Sequence, residues 1–292
     1  MKAPPSNLLF IINPGSGNDK TDWKKEIETY FSAHPDDFEI YEIPNPCKPE
    51  LIKQKIESFS PTKVIAVGGD GTVKLVAECL LKTKIPMALL PAGSANGMAK
   101  ELSIPDEPTQ ALDIAVNGSP KKIHLVKINN ELCIHLGDIG FNAFVVKKFE
   151  DENTRGMWGY IKAAWKVLRS HSKMEVEIKI DNEYIRREAA MVVVANASMY
   201  GNGVVINPKG SLSDDLFEVV IIKKISLSEI FKMRFTQRDY NPDKTELLQT
   251  RSLKINSNHK VHFQVDGEYL GKINSIDAEI IPEALTVIVP AG

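Results

Sequence analysis

Apolar residues in the first part of the chain form short, mostly aliphatic runs separated by stretches with helical spacing. Residues 8–12 are an unbroken apolar run of strand length. Trp23, Ile27, Tyr30 and Phe31 then recur at helical spacing and predict a helix over 23–34. Residues 38–43 read as a second strand, 49–59 as a helix with Pro49 at its start, and 64–67 as a short buried strand. A helix over 72–82 and a strand over 87–90, closed by Pro91, complete the series. Strands alternating with helices of about ten residues predict βαβ units and a parallel sheet.

The pattern changes after Asn117-Gly118. Strand signals dominate from there on, at 123–128, 174–180, 189–195, 216–222 and in runs beginning at Ser252 and Lys260. The turn pairs Asn129-Asn130 and Asp181-Asn182 predict antiparallel pairing. Helical spacing appears in two further places, 158–168 and 227–235. The expected architecture is an α/β domain with a parallel sheet over 1–118, followed by a mostly antiparallel β domain over 119–292. The last strand is a candidate to return to the first domain.

Charge and composition narrow the function classes. Lys and Arg number 36 against 38 Asp and Glu, for a net charge of -2, which argues against a sequence-independent nucleic-acid binder. No apolar run approaches the roughly 20 residues that span a bilayer, and the N-terminus lacks the apolar region of a secretory signal, so a cytoplasmic protein is expected. Cys47, Cys79 and Cys133 are odd in number and widely spaced, which fits neither a disulfide framework nor a zinc site.

Candidate chemistry lies in three loops that each follow a strand of the first domain: Asn13-Pro14-Gly15-Ser16-Gly17, Gly68-Gly69-Asp70-Gly71-Thr72 and Pro91-Ala92-Gly93-Ser94-Ala95-Asn96-Gly97. Loops at the C-terminal ends of parallel strands gather at the sheet edge where ligands bind. Glycines there bring backbone N–H groups within reach of phosphate oxygens, and a helix opening after Gly71 favours anions. Asp70 is a candidate to hold Mg²⁺. Any one loop alone reads equally well as a tight turn. There is no Walker loop G-x-x-x-x-G-K-[ST], nor the H-R-D and D-F-G pair of protein kinases.

The G-G-D-G-T loop resembles the signature of diacylglycerol, sphingosine, ceramide and NAD kinases and of phosphofructokinases. The N-P-G-S-G loop and the run from Pro91 to Lys100 narrow the resemblance to the diacylglycerol-kinase catalytic family and its bacterial lipid-kinase members. It continues through Gly140-Phe141, the 196–203 stretch, 208–218 and Asp266-Gly267-Glu268. It implies the fold of diacylglycerol and NAD kinases, with ATP bound by the first domain and a lipid by the second. It also implies nucleotide contacts from Asn13, Pro14, Gly15, Ser16, Gly17, Gly68, Gly69, Asp70, Gly71, Thr72, Ser94 and Asn96. By the same resemblance Glu268 is the proton acceptor and Asp266 assists in positioning metal or phosphate, although Asp266-Gly267 by itself reads as a hairpin turn. A structural Mg²⁺ is implied at Asp214, with carbonyls of Ser211 and Leu216. Asp215 and Gly210 stand where the family usually has Gly and Ala.

The lipid is read from fewer positions. Sphingosine kinases place an acid a few residues after their Gly-Phe, to meet the substrate ammonium, and here that position is Phe144. A neutral glycerolipid such as diacylglycerol is therefore expected, with Asp138 as a nearby acid that keeps a sphingoid base open. An NAD-kinase-like activity and a non-catalytic nucleotide sensor are the remaining alternatives. The 155–169 segment carries Trp158, Trp165 and several cations, which suits either membrane contact or core packing. Peripheral association with a membrane is expected of a lipid kinase.

Overall fold

The computed structural model describes residues 7–16, 21–32, 37–151, 173–181, 183–200, 204–205, 207, 210–225 and 241–291. Gly17, the helices expected over 158–168 and 227–235, and the 155–169 segment with its candidate face lie outside them. The chain divides into two compact units, Met1–Ile123 with Glu283–Gly292, and His124–Pro282.

In the first unit β1 (Asn7–Ile12) is followed by α1 (Trp23–Phe31), β2 (Asp37–Glu42), α2 (Pro49–Phe59), β3 (Lys63–Gly68), α3 (Asp70–Leu80), β4 (Met87–Pro91), α4 (Gly97–Glu101) and α5 (Pro108–Asn117). β1 pairs in parallel with β2 and β3, and β3 with β4. Leu8 to Ile11, Val64 to Val67 and Met87 to Leu90 are buried, as expected for strands covered on both faces. Helix α1 turns Trp23, Ile27 and Phe31 inward, and the Asp22 side chain accepts the Lys25 N–H at its N-cap. The α3 helix begins at Asp70, two residues before the periodicity predicts, because the Gly69 carbonyl accepts the N–H groups of Thr72 and Val73. Helix α5 was missed by periodicity, although Glu107 caps it and Pro108 opens it. Those two amide hydrogen bonds hold the Glu107 carboxyl below its usual pKa. Lys63 reaches the α5 C-terminus and donates to the carbonyls of Ala115 and Val116 at 2.7 Å each.

β5 (Ser119–Ile128) carries the chain into the second unit, where β6 (Glu131–Cys133), β7 (Leu136–Gly140), α6 (Phe141–Asp151), β8 (Met174–Ile180), β9 (Glu183–Ala189) and β10 (Met191–Ala195) follow. A two-strand pair, β11 (Met199–Tyr200) and β12 (Val204–Val205), precedes β13 (Phe217–Ile222), β14 (Thr245–Thr250), β15 (Ser252–Val265) and the long β16 (Glu268–Val289). The order β14-β13-β10-β7-β15-β16 is antiparallel throughout, and β15 also pairs with β8. Both faces of its centre are buried. Val192, Val194, Val219 and Ile221 join one apolar cluster, while Val193, Ala195, Val220 and Ile222 join another with Phe141 and Val145 of α6.

Two expected runs are redrawn. The 189–195 stretch is two strands, broken at Ala190, whose N–H turns to the Ile222 carbonyl. The runs at Ser252 and Lys260 are one strand, β15, irregular between Asn256 and Val261. Val287 of β16 pairs in parallel with Met87 of β4. No helix among the described residues is long and apolar enough to cross a membrane.

Candidate functional site

The structure brings the three glycine-rich loops together at one edge of the first unit's sheet and ties each to the next. Asn13 Nδ2 donates to Thr72 Oγ1 at 3.0 Å, and Asn13 Oδ1 accepts the Gly15 N–H at 3.0 Å. The side chain of Asn13 thus joins the first loop to the second and also shapes its own turn. Ser16 closes that turn, its N–H and hydroxyl both donating to the Asn13 carbonyl. The second and third loops touch through glycine backbones, and a Cβ on Gly69 would stand 3.1 Å from Gly93 Cα. Gly68 is required for another reason, since a Cβ there would run into the Thr72 side chain.

Asp70 is the strongest of these ties. Its two carboxylate oxygens accept the N–H groups of Gly97 and Met98, each at 3.0 Å. Those are the first two residues of α4, which has no N-cap side-chain bond of its own. Asn96 Oδ1 accepts the Gly93 N–H at 2.8 Å, and the Asn96 backbone sits in the left-handed region at φ 50°. Asn96 therefore folds its own loop, while Ser94 is exposed.

A depression of about 510 Å³ opens beside the first two loops. Asn13, Pro14, Gly15, Gly71 and Thr72 line it, together with Ile43, Pro44, Asn45 and Cys47 from the segment after β2. The latter group escaped the sequence reading, although its place after a parallel strand was a usable signal. Gly71 is exposed there, with nothing within 4 Å of where its Cβ would be, so packing does not demand a glycine. The first turn of α3 receives no side-chain cap, and helix starts favour anions.

In the second unit Asp266 and Gly267 form the two-residue hairpin between β15 and β16, with φ of 51° and 86°. The Asp266 carboxylate accepts the N–H groups of Ile134, His135 and Leu136 at 2.9, 2.8 and 3.2 Å. On the other flank Gln264 Oε1 accepts the Gly267 N–H at 2.7 Å. Glu268, the next residue, is exposed. Of the two acidic residues in the motif, Asp266 is bonded to backbone amides and Glu268 is exposed.

Asp138 is fully buried. Its carboxylate accepts from Asn142 Nδ2 at 2.6 Å, from the Ala143 N–H at 2.8 Å and from Gln264 Nε2. Burial pushes its carboxyl up to about 6, against those three donors, which pull the other way. It is not a solvent-accessible partner for a substrate ammonium. Phe144 is half-buried and stacks flat on His262, with centroids 4.3 Å apart and planes 3° from parallel. His262 Nδ1 lies 2.8 Å from Tyr269 Oη, and Lys147 Nζ stands 5.6 Å from the Tyr269 ring centroid.

Ser211, Asp214 and Leu216 share one turn before β13. Asp214 Oδ1 faces the Leu216 N–H at 3.4 Å. Asp215 has φ 59°, which explains why glycine suits that position, and its carboxylate meets His124 Nε2 at 3.2 Å and Arg251 at 3.3 Å. Behind the turn Glu218 is buried and accepts from Asn207 and Gln249, and burial is the main cause of its raised pKa. Among the described residues no three His, Cys, Asp or Glu side chains converge as a metal cluster. The donors at Asp214 are hard oxygens, the class that Mg²⁺ takes.

Comparison with known proteins places this geometry. Residues 7–128 match the model of the diacylglycerol kinase catalytic domain, and residues 138–289 match the YegS C-terminal NAD kinase beta sandwich-like domain. An uncharacterized protein of Synechocystis, sll0036, is 27% identical over 240 residues, covering 78% of this chain. The match spans about half of that relative's length, 54%. A diacylglycerol kinase of Bacillus subtilis is 27% identical over 220 residues, 72% of either chain. The crystal structure of a diacylglycerol kinase from Bacillus anthracis superposes with a TM-score of 0.77 over 99% of this chain and 98% of that one, at 18% identity, a likeness of fold. With models matching in both units, the chain belongs to the diacylglycerol kinase catalytic family with a YegS-type C-terminal domain, a family of lipid kinases that phosphorylate an alcohol.

Proposed function

We propose that this protein is an ATP-dependent kinase that transfers the γ-phosphoryl group to the hydroxyl of diacylglycerol or a similar neutral glycerolipid. The observation that carries the reading is the tying together of three phosphate-type loops around Asp70 at one sheet edge. Phosphoryl transfer asks the protein mainly for positioning and charge stabilisation, and preset backbone N–H groups at the open start of α3 supply both. Pro14, Gly15, Ser16, Gly17, Gly68, Gly69, Gly71, Thr72 and Ser94 are assigned to the nucleotide, with Asn13 and Asn96 shaping its loops. Asp70 fixes the loops, and its carboxylate would hold Mg²⁺, which would supply charge stabilisation to the phosphates. Asp214, with the carbonyls of Ser211 and Leu216, would hold a second, structural Mg²⁺.

Glu268, exposed on a turn fastened from both flanks, is the group assigned to take the acceptor proton. Asp266 assists by setting that turn. Phe144 stacked on His262, with Lys147 close by, favours an uncharged acceptor over an ammonium. Such an acceptor resides in a bilayer, so the protein works in peripheral contact with a membrane, from the cytoplasmic side.

The test is transfer from γ-labelled ATP to diacylglycerol, monoacylglycerol, sphingosine and ceramide in matched mixed micelles, with and without Mg²⁺. Diacylglycerol or monoacylglycerol should exceed sphingosine in kcat/KM by about tenfold or more, and chelation should stop transfer. A tenfold preference for sphingosine would overturn the acceptor, and turnover of NAD alone would overturn the lipid reading. Glu268→Gln should lose ~10²–10⁴-fold in kcat at unchanged ATP affinity. A fall in ATP affinity with kcat intact would make Glu268 a nucleotide or metal ligand instead.

A further inference from the structure

We propose that Asp138 is a positioning residue for Glu268: it fixes which way the buried Gln264 amide points, and Gln264 in turn holds the hairpin that presents Glu268. The inference rests on the reading of Glu268 as proton acceptor, and it concerns residues that the loop and hairpin motifs do not contain.

Antiparallel pairing of β7 with β15 sets Asp138 opposite Gln264, and both side chains are fully buried. A glutamine amide has a donor end and an acceptor end of nearly the same shape, so its partners alone decide its orientation. Here the NH₂ end faces the Asp138 carboxylate, and the oxygen end accepts the Gly267 N–H at 2.7 Å. An ionised carboxylate only accepts, so it admits one orientation of Gln264, with the oxygen toward the hairpin. The other Asp138 contacts lock the carboxylate in turn. Asn142 and Ala143, at the start of α6, donate to it at 2.6 and 2.8 Å. A continuous path therefore runs from α6 through the buried Asp138 and Gln264 to the Asp266–Gly267 peptide of the hairpin that carries Glu268.

A neutral amide at position 138 would break this polarity. An amide has one oxygen where the carboxylate has two, and here one oxygen receives both Asn142 and Gln264 while the other receives the Ala143 N–H. With its NH₂ toward Gln264 two NH₂ groups are opposed, and if Gln264 turned over its own NH₂ would face the Gly267 N–H. With its NH₂ the other way it opposes the Ala143 N–H at the start of α6. Every arrangement leaves two donors opposed along the path that holds the hairpin. Moving the carboxylate one step along the path would restore it. When Asp138→Asn is combined with Gln264→Glu, the new amide at position 138 donates one N–H to the new carboxylate at position 264 and the other to Asn142, whose amide turns its oxygen to accept it. That carboxylate then accepts the Gly267 N–H, as the Gln264 oxygen does in the wild type.

The experiment compares wild type, Asp138→Asn, Gln264→Met, the double variant Asp138→Asn with Gln264→Glu, and Glu268→Gln. It measures kcat and KM for ATP with the best glycerolipid acceptor, and hydrogen exchange at the Gly267 amide. Asp138→Asn and Gln264→Met should each lose about tenfold to a hundredfold in kcat at unchanged KM for ATP, with faster exchange at Gly267. The double variant should recover most of both. Should Asp138→Asn fold poorly, Gln264→Met and the double variant still decide the matter.

Unchanged kcat in Asp138→Asn, where Glu268→Gln is inactive, overturns the proposal and leaves the base assignment standing. Faster exchange without loss of kcat overturns it too, reducing the path to a structural contact. Full kcat in Glu268→Gln is the separate result that removes the base assignment.

Discussion

The loop cluster of the first unit and the Asp266 hairpin of the second solve the same problem by different means. Each uses an aspartate to gather backbone N–H groups. Asp70 takes two from the start of α4, and Asp266 takes three from the β6–β7 connection. In the loop cluster the further ties are close glycine contacts, the Asn13–Thr72 bond and the Ala92 N–H on the Gly68 carbonyl, and the region borders an open depression. In the hairpin they pass through buried polar side chains, Gln264 and Asp138, in an otherwise apolar interior. Glycine contacts cost little to bury, whereas a carboxylate in the core is expensive. Shape dominates the first region and hydrogen-bond polarity the second.

The sharpest way to break the comparison is Asp70→Ala. It removes the acceptor of two amides and the carboxylate proposed above to hold Mg²⁺, so turnover should fall on the order of 10³-fold in a protein that still folds. Near-normal kcat with a native circular-dichroism spectrum would reduce Asp70 to a loop fastener. Asp266→Ala comes next. Three amides lose their acceptor, which should cost ~2–3 kcal/mol, or roughly 4–12 °C in Tm for a chain of this size. Glu268→Gln, exposed on the same hairpin, should leave Tm unchanged. Equal losses of Tm in the two variants would erase the division of labour between them.

The buried carboxylate gives a smaller signal that depends on pH. The Asp138 carboxyl titrates at about 6 in the fold against an ordinary 3.8, so between those values the folded state holds a proton that the unfolded chain releases. Its contribution is therefore most favourable below about pH 4, declines as pH rises to about 6 and is level above that. The span corresponds to ~3 kcal/mol. Urea unfolding from pH 4 to 7.5 should show this slope as a difference between wild type and Asp138→Asn. Parallel curves would place the carboxyl near its ordinary value.

Gly71→Ala should have the least effect on the fold. The position is helical, exposed and sterically open, so alanine should leave stability unchanged or raise it by ~0.5–1 kcal/mol. Affinity for ATP should nonetheless fall if a phosphate approaches that backbone. Unaltered ATP affinity would detach Gly71 from the nucleotide.

The two regions also differed in how far they could be read in advance. Strands β1, β3 and β4, helix α2 and the three loops were plain in the sequence because burial on both faces writes continuous apolar runs and close backbone contact writes glycine. Asp266-Gly267-Glu268 was legible as a hairpin and, through resemblance, as a site. Its supports were not. Gln264 and Asp138 lie in apolar strand runs where a polar residue has no periodic meaning until register sets them opposite each other. Nor could Asp266 announce its three amide partners, about 130 residues earlier in the chain. Helix α6 was hidden because Phe141 to Val146 carries apolar residues on almost every side, which obscures helical spacing.

The return of residues 283–292 to the first unit bears on how the chain matures on the ribosome. The edge of β4 that receives Val287 stays open until the whole segment His124–Pro282 has been synthesised. At ~5–20 residues per second that interval lasts roughly 10–30 s. During it β4, paired on one side with β3, keeps its other edge open, the kind of edge that recruits foreign strands. Synthesis itself thus sets the window in which that edge is exposed, and a slower ribosome would widen it.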